Sequence, residues 1–284
     1  MFSANSYAFD IKMDFEDGTP GQKVMGECNP GAGQYRFTGD ANNTVFTGDD
    51  AFGNGQSARL SIKKGTSGFG SWGGIIKFDK CVGDELREGD EVWIRLRAKF
   101  PPNWLFTTGE RLKFLRLRSY SPSGSAFSYV DFQLNHPDGI GKTFYPFHFI
   151  PEFDAEGGWA LLGKPSQYIN FGVWETYEVY LKINHVTADE DPVNGARIVA
   201  WKNGELVGEV TNKQTLPGPG YTLRDFYLFT HWNGYAGKGD APQNQSMLID
   251  DLRITNEKPD ILNGERYMIG LGEQLIPSSP RILD

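Results

Sequence analysis

The stretch VWIRLRAKF, residues 92–100, alternates apolar side chains with aromatic or cationic ones along its whole length. Side chains two positions apart point to the same face of a β-strand, so this stretch has two distinct faces. One face is apolar and consists of Val92, Ile94, Leu96, Ala98 and Phe100. The other face carries one aromatic ring and three cations, Trp93, Arg95, Arg97 and Lys99. The pattern therefore predicts a strand that buries its apolar face and presents a positive face outward.

The overall composition makes this cationic face stand out. The chain has 284 residues and a formal net charge of -8, and 39% of its residues are hydrophobic. Domains that bind nucleic acid are usually basic, so no nucleic-acid partner is predicted. No apolar run reaches the roughly 18 residues of a membrane-spanning helix, so no membrane insertion is predicted.

Strand signals of the same kind recur along the chain, between clusters of Gly, Pro, Asn and Asp. Further strands are predicted at residues 7–15, 58–64, 73–78, 112–119, 127–135, 176–184, 196–204, 205–210, 225–232 and 246–255. Asn203 and Gly204 stand between two apolar runs and predict a type I′ hairpin turn. This density of strands predicts one all-β domain, a sandwich or a barrel, because no change of composition marks a linker. Alternation is lost near the end, so residues 259–284 are predicted to form an extended arm.

The two cysteines, Cys28 and Cys81, are too few for a disulfide framework, and a chain of this length does not need one. Reduced, partly buried thiols are therefore the favoured prediction, and a single bridge is the alternative. The N-terminus lacks the basic segment and apolar run of a signal peptide.

Three segments together resemble a known fold family. They are DFEDGTPG at residues 14–21, the stretch from Trp174 to Val210 that contains YEVYLKIN and ARIVAWKNGELVGEV, and SMLIDDLRIT at 246–255. The pattern resembles the concanavalin A-like jelly rolls, which include lectins, laminarinase-type glucanases and polysaccharide lyases. The resemblance covers most of residues 7–255 and implies a jelly-roll β-sandwich of two antiparallel sheets over residues 1–258.

In such a sandwich one sheet is concave, and the resemblance implies that sugars lie on its outward face. Phasing the strands predicts these glycan-binding residues: Trp93, Arg95, Arg97, Lys99, Tyr129, Asp131, Gln133, Tyr180 and Tyr227. Arg116 and Arg118 are predicted to line the same groove. Guanidinium groups match carboxylates or sulfates, so the predicted partner is an acidic polysaccharide. The alternative is an ordinary exposed face whose cations are neutralised by neighbouring acids.

Catalysis on this face would have to follow one of two chemistries. Laminarinase-type glucanases carry paired carboxylates on one strand, whereas YVDFQLN contains only Asp131, so a glucanase is disfavoured. A polysaccharide lyase needs a group that neutralises the uronate, a base and an acid. The residues that could supply them are Lys113, Arg116, Arg118, Tyr129, Gln133 and His231. The Arg-x-Glu-x-Arg and Gln-x-His motifs of jelly-roll alginate lyases are absent, because RLKFLRLRS lacks the central Glu and His136 stands three residues after Gln133.

A structural calcium ion is the one cofactor that the resemblance implies. Many jelly-roll sugar modules tie their first strand to their last with Ca²⁺, whose preferred ligands are oxygens. Glu16 in DFEDG and Asp251 in IDDL are the predicted ligands, and capped turns with solvated acids are the alternative. No organic cofactor is predicted, because GFGSWGG lacks the strand-then-helix context of a dinucleotide loop.

The sequence thus predicts glycan recognition by a non-catalytic, lectin-like domain for an acidic polysaccharide, outside a cell or on a viral particle. Three features favour it: the missing signal peptide, the incomplete catalytic motifs, and an arm at residues 259–284 suited to self-association or particle docking. One alternative is a polysaccharide lyase that cleaves a uronic-acid polymer by β-elimination. Another is a structural decoration protein. The lack of a signal peptide also leaves a cytoplasmic location open.

Overall fold

The computed structural model describes residues 8–258, apart from residues 54, 67, 71, 107–110, 136–144, 155–157, 164–166, 186–194, 212, 230 and 233–239. The predicted arm and His136 lie outside the described residues. No helix in the described part is both long and apolar enough to cross a membrane.

The described residues form sixteen β-strands, a 3₁₀ turn at Pro30–Ala32 and a single-turn helix, α1, at Phe78–Cys81. The strands in chain order are β1 (Asp10–Met13), β2 (Thr44–Thr47), β3 (Ser57–Ile62), β4 (Gly68–Phe69), β5 (Gly74–Lys77), β6 (Glu91–Lys99), β7 (Arg111–Tyr120), β8 (Ala126–Asn135), β9 (Tyr145–Pro151), β10 (Ala160–Leu161), β11 (Glu175–Lys182), β12 (Arg197–Lys202), β13 (Glu205–Val210), β14 (Thr222–Leu228), β15 (His231–Trp232) and β16 (Gln245–Thr255). The all-β prediction is confirmed.

These strands form two large antiparallel sheets and one short ribbon. The larger sheet has eight strands: seven follow the order β13-β12-β11-β6-β16-β3-β2, and the eighth, β1, pairs with β16. The six-stranded sheet has the order β10-β9-β8-β7-β14-β5. The ribbon pairs β15 with β4. In the larger sheet, β16 pairs with β6 along one side; along the other it pairs first with β3 and then with β1.

The core lies between the two large sheets, and the alternation read from the sequence decides which residues enter it. All five apolar residues of the opening stretch, from Val92 to Phe100, are at most 1% exposed. Leu115 and Leu117 on β7 join the same buried cluster, as do Val130 and Phe132 on β8. Each such side chain contributes about 1.5–3 kcal/mol when it is fully buried. The predicted inward faces of β6, β7 and β8 are therefore confirmed.

A one-residue irregularity in β7 determines which of its polar side chains share a face. Lys113 pairs with Gln133 and Leu115 with Phe132, so Phe114 is an extra residue with no partner of its own. A bulge of this kind reverses the side-chain phase. As a result Lys113 points outward together with Arg116, although the two are an odd number of positions apart.

Two local predictions have opposite outcomes. Asn203 and Gly204 have φ values of 51° and 79°, as a type I′ turn between β12 and β13 requires. Cys28 and Cys81, in contrast, form a disulfide with a Cα–Cα distance of 5.0 Å, so the prediction of reduced thiols is wrong. The bridge joins positions 53 residues apart, and it stabilises the fold by roughly 4 kcal/mol in the chain-entropy account. The sequence does not reveal it because the pairing depends on tertiary packing against α1.

Candidate functional site

The predicted glycan-binding residues belong to two different sheets. Trp93, Arg95, Arg97, Lys99 and Tyr180 lie on β6 and β11 of the eight-stranded sheet, whereas β7 and β8 belong to the six-stranded sheet. Both sheets turn their apolar faces to the shared core, so their polar faces point to opposite sides of the sandwich. The prediction of one groove lined by both sets is wrong, because β6 pairs with β11 and β16 and not with β7.

The cations of β6 are paired with acids from distant parts of the chain. Arg95 and Arg97 both donate to the carboxylate of Asp251, with Arg97 Nε at 3.0 Å from Oδ2. Their exposed fractions are 8% and 4%. Lys99 forms an ion pair with Asp50. The alternative of a face neutralised by its neighbours therefore describes these three cations.

One of the two predicted calcium ligands is already engaged by cations. Asp251 does not fit a calcium ligand, because two guanidinium groups already occupy its carboxylate and would repel the ion. Glu16 accepts a hydrogen bond from the backbone N–H of Gln56 at 2.9 Å. No group of three or more His, Cys, Asp or Glu side chains in the described part of the chain could hold a metal ion. A calcium site near Glu16 stays a prediction.

On the outward face of the six-stranded sheet, a buried ionic network forms one half of the candidate site. Arg116 Nε donates to Asp131 Oδ1 at 2.7 Å, and its Nη2 donates to Glu152 at 3.1 Å. Lys113 pairs with Glu152, and Gln133 donates to Asp131 Oδ2 at 2.8 Å. Asp131 is 0% exposed and Gln133 is 4% exposed. The prediction that Asp131 contacts a glycan is therefore wrong, and Gln133 is mostly covered.

The environment of Asp131 shows how tightly this network is balanced. Burial raises the pKa of Asp131 to about 6, although the charge of Arg116 favours the ionised form. Arg116 Nη1 is buried and has no hydrogen-bond partner among the described residues. Such networks hold their members in one geometry, since each lost partner leaves a buried charge uncompensated.

The other half of the site is partly open to solvent and centres on Arg118. Arg118 Nη1 donates to the hydroxyl of Tyr227 at 3.0 Å. No carboxylate of the described residues forms an ion pair with Arg118. Burial raises the pKa of Tyr227, so its hydroxyl keeps its proton at neutral pH. Arg118 thus donates to a neutral hydroxyl and forms no ion pair with a described residue, although the carboxylate of Asp225, across the strand pair on β14, is near enough to interact with its charge.

Tyr129 lies between the two halves of the site. Its ring centroid is 3.7 Å from Cζ of Arg116 and 5.3 Å from Cζ of Arg118. It also packs edge-on against Tyr227 with the ring centroids 5.4 Å apart. Within the described chain, the Tyr129 hydroxyl has no hydrogen-bond partner. A partly exposed hydroxyl beside two cations is available to a bound ligand.

The short ribbon brings His231 to the same face. His231 pairs with Phe69, and their rings meet edge-on at 4.6 Å between centroids. The Phe69 ring in turn lies 6.4 Å from that of Tyr129. Phe69 is 54% exposed and so can contact a ligand. The structure therefore brings together all six residues predicted for a lyase: Lys113, Arg116, Arg118, Tyr129, Gln133 and His231.

Sequence reasoning missed several residues of this face, most of them on or near β9. His148 is directly opposite Gln133, and its ring lies 5.8 Å from that of Trp159, which is 40% exposed. Glu152 follows the end of β9. The signal was present in YPFHFIP, where Phe147 and Phe149 are buried and His148 alternates with them, but this stretch was not predicted as a strand.

No protein-family model matches the chain, and no similar curated protein is found. The solved structures do include similar folds. The alginate lyase Aly36B superposes with a TM-score of 0.55 at 15% identity, over 86% of this chain and 96% of that one. This chain therefore has a concanavalin A-like jelly-roll fold. A second jelly roll, the PL-14 alginate lyase from Aplysia kurodai, superposes with a TM-score of 0.52 at 14% identity, over 75% of this chain and 87% of that one.

Proposed function

We propose that this jelly roll is a polysaccharide lyase that cleaves a uronic-acid polymer by β-elimination on the outward face of its six-stranded sheet. The observation that carries the proposal is Arg118, a cation that has no carboxylate partner within the described chain and lies beside two tyrosines. The two superposed structures are both described as alginate lyases, which supports the same chemistry. One form of Aly36B, with a lysine and a tyrosine replaced by alanine, is in complex with an alginate tetrasaccharide.

The reaction needs positive charge next to the uronate. A base breaks the C5–H bond, the electron pair forms a C4–C5 double bond, and the C4–O bond to the next sugar breaks. The departing oxygen takes up a proton, so no water is consumed. A cation at the carboxylate stabilises the negative charge that develops during proton removal. Arg118 can supply two parallel N–H donors for this purpose.

Tyr129 is the best candidate for proton transfer. Tyr129 is partly exposed, and its hydroxyl has no hydrogen-bond partner among the described residues. The hydroxyl of Tyr227, in contrast, accepts a hydrogen bond from Arg118, and Tyr227 is only 3% exposed. Tyr227 therefore acts as a positioning residue for Arg118. His231 is the second candidate base, on the far side of Phe69. A proton-transfer group typically contributes about 10²–10⁴-fold to the rate.

The buried network has a supporting role in this proposal. Lys113, Arg116 and Gln133 all bind Asp131 or Glu152 and are at most 9% exposed. They would hold the Tyr129 ring in place from below and would not contact the reacting sugar. Of the six residues predicted for a lyase, the proposal therefore keeps Arg118, Tyr129 and His231 as candidates for contact with substrate.

Glycan recognition without catalysis is the second candidate, and a specific observation favours it. Phe69 and Trp159 present exposed rings on this face, at 54% and 40% exposure. Exposed aromatic rings suit stacking on sugars and need no catalytic group. The Cys28–Cys81 bridge supports an oxidising location outside the cytoplasm for either function. Attachment to a viral particle and docking through residues 259–284 stay predictions.

The deciding experiment follows the unsaturated product in the ultraviolet while the protein is incubated with alginate or with a glucuronan. A lyase generates the absorbance, and Tyr129→Phe lowers the rate by at least about 100-fold. Tyr168→Phe, at a residue whose backbone carbonyl is bound by Lys202 of the other large sheet, serves as the matched control and keeps the parent rate. If the protein binds the polymer but forms no unsaturated product, glycan recognition without catalysis is the function that remains. A protein that neither binds nor cleaves any uronate polymer would favour the structural decoration role.

A further inference from the structure

The outward face of the eight-stranded sheet contains a depression of about 480 Å³, on the opposite side of the sandwich from Arg118. Its volume lies within the roughly 300–1,000 Å³ range of small-ligand sites. Six of its lining residues carry aromatic or charged side chains: Glu91, Trp93, Tyr180, Lys182, Arg197 and Lys258. They include Trp93, the outward-facing aromatic residue of β6. The ion pairs of Arg95, Arg97 and Lys99 account for the other outward residues of that strand but not for Trp93.

The strand register places aromatic side chains from adjacent strands next to each other at the base of this depression. Tyr180 on β11 pairs with Trp93 on β6 and with Val199 on β12, so the three form one row across the sheet. The rings of Trp93 and Tyr180 are 4.9 Å apart and tilted by 42°. With Trp201 they form a cluster that is separate from the main core. Tyr180 and Trp201 are only 1% and 5% exposed, so they support from below the ring of Trp93, which is partly exposed and can meet a ligand.

The next row across the same strands supplies charge. Lys182 pairs with Glu91 on one side and with Arg197 on the other. Lys182 Nζ is 3.8 Å from the Glu91 carboxylate, which also accepts a hydrogen bond from the Tyr180 hydroxyl. The single lining carboxylate is therefore already engaged twice by the site itself.

The remaining cations give the depression a positive excess. Arg197 Nε is 2.8 Å from Glu209, which does not line the depression. Lys258 is exposed and forms no ion pair with a described residue. Three cations line the site, and Glu91 and Glu209 pair with two of them, so Lys258 supplies an excess of one positive charge in a chain whose formal net charge is -8. A local positive surface on an acidic protein favours an anionic ligand.

We propose that this depression is a second, non-catalytic binding site for a short stretch of an acidic polysaccharide. A sugar ring would stack on Trp93, and its acidic groups would be met by Lys182, Arg197 and Lys258. The identity of the polymer as a uronate rests on the proposed function, but the site itself does not. Because it faces away from Tyr129, the site holds polymer without contacting the bond that breaks. A second contact on one chain raises the effective concentration of polymer at the first.

The test is electrophoresis in gels that contain alginate, with an Arg118→Ala background to weaken binding at the six-stranded sheet. In that background Lys258→Glu should reduce the retardation by alginate at least about threefold, and Trp93→Ala should reduce it further. Lys80→Glu is the matched control, since its side chain is 69% exposed and belongs to α1. Lys258 is also exposed, so its substitution leaves the fold intact. The melting temperature of Trp93→Ala shows whether that variant is still folded.

Each result separates the two proposals. Retardation that is unchanged in both variants overturns the second site, and so does an equal loss in Lys80→Glu, which would mean general charge attraction. Reduced retardation in Lys258→Glu but not in Lys80→Glu supports the second site even if no unsaturated product ever forms. If the protein is a lyase, Lys258→Glu should keep the parent rate on an alginate trisaccharide, which is too short to reach both faces. A lower rate on that trisaccharide would contradict a non-catalytic role.

Discussion

Two nearly identical stretches, IRLR at residues 94–97 and LRLR at 115–118, have different roles on opposite faces of this sandwich. In the first, both arginines are buried and share Asp251 on the neighbouring β16. In the second, Arg116 is buried against Asp131 and Glu152, but Arg118 donates to a neutral tyrosine hydroxyl and forms no ion pair with a described residue. Strand neighbours that are distant in sequence therefore decide whether an arginine is neutralised or available. The alternating pattern alone does not distinguish the two cases.

The largest expected effect is on stability and concerns the buried arginines. Arg116→Met leaves Asp131, which is 0% exposed, without its main partner. Removing one member of a buried ion pair costs about 3–5 kcal/mol. Arg97→Met should cost less, because the carboxylate of Asp251 is 36% exposed and keeps Arg95. Urea unfolding of both variants measures the difference, and equal losses would break the comparison between the two faces.

The next effect is on activity and separates the same two faces. Arg118→Ala should lower the rate of unsaturated-product formation by about 10²–10³-fold, the usual loss when one charge-stabilising donor is removed. Arg95→Ala should leave the rate within about threefold of the parent, because its guanidinium lies on the other sheet. The ultraviolet assay on alginate compares them directly. A strong loss in Arg95→Ala would mean that the two faces do not function separately.

The smallest effect concerns pH and an acid close to the β6 cations. Burial raises the pKa of Asp250 to about 7; the charges of Asp251 and Glu16 add to this, and backbone N–H groups of Phe52 and Asp251 oppose it. The folded protein therefore binds this proton more tightly than the unfolded chain does, so stability falls as pH rises from about 4 to about 7. Because Asp131 titrates near 6, the contribution of Asp250 between pH 6 and 8 is the difference between the parent and Asp250→Asn.

In that interval and with a chelator present, we expect a loss of about 1 kcal/mol. Asp250→Asn should flatten the profile, which thermal unfolding at several pH values would measure. A calcium ion near Glu16 would favour the ionised carboxylate and should cancel the loss when Ca²⁺ replaces the chelator. A profile that Ca²⁺ leaves unchanged would end the calcium prediction, and a flat parent profile would contradict the raised pKa.

The sequence predicted the faces of individual strands but not their partners. The phases of β6 and β8 follow from alternation alone, and Tyr129 and Asp131 were correctly assigned to the outward face. Asp131 is nevertheless fully buried there, beside an arginine that it shares with Glu152 from beyond β9. Side-chain phase is a local property, whereas strand order is set by contacts between distant segments. This is why one predicted groove became two separate surfaces.

The residues that sequence reasoning missed share a common cause. His148 and Trp159 belong to a region where strand signals are short and interrupted, so β9 was not predicted. The shared face of Lys113 and Arg116 depends on the bulge at Phe114, and a bulge leaves no clear trace in an alternating pattern. The Cys28–Cys81 bridge likewise becomes visible only once the segment before β2 packs on α1.

The central place of β16 has a consequence for synthesis. The strands β13, β12, β11 and β6 form one part of the larger sheet and β3 and β2 form another, and among the described residues it is 245–255 that join them. A ribosome makes this joining strand after all the other described strands of the sheet, so both parts must wait with open edges until it emerges. The six-stranded sheet includes β7, β8 and β9 as successive antiparallel neighbours and can assemble earlier. A chain that ends before residue 245 would therefore expose two unpaired strand edges and tend to aggregate.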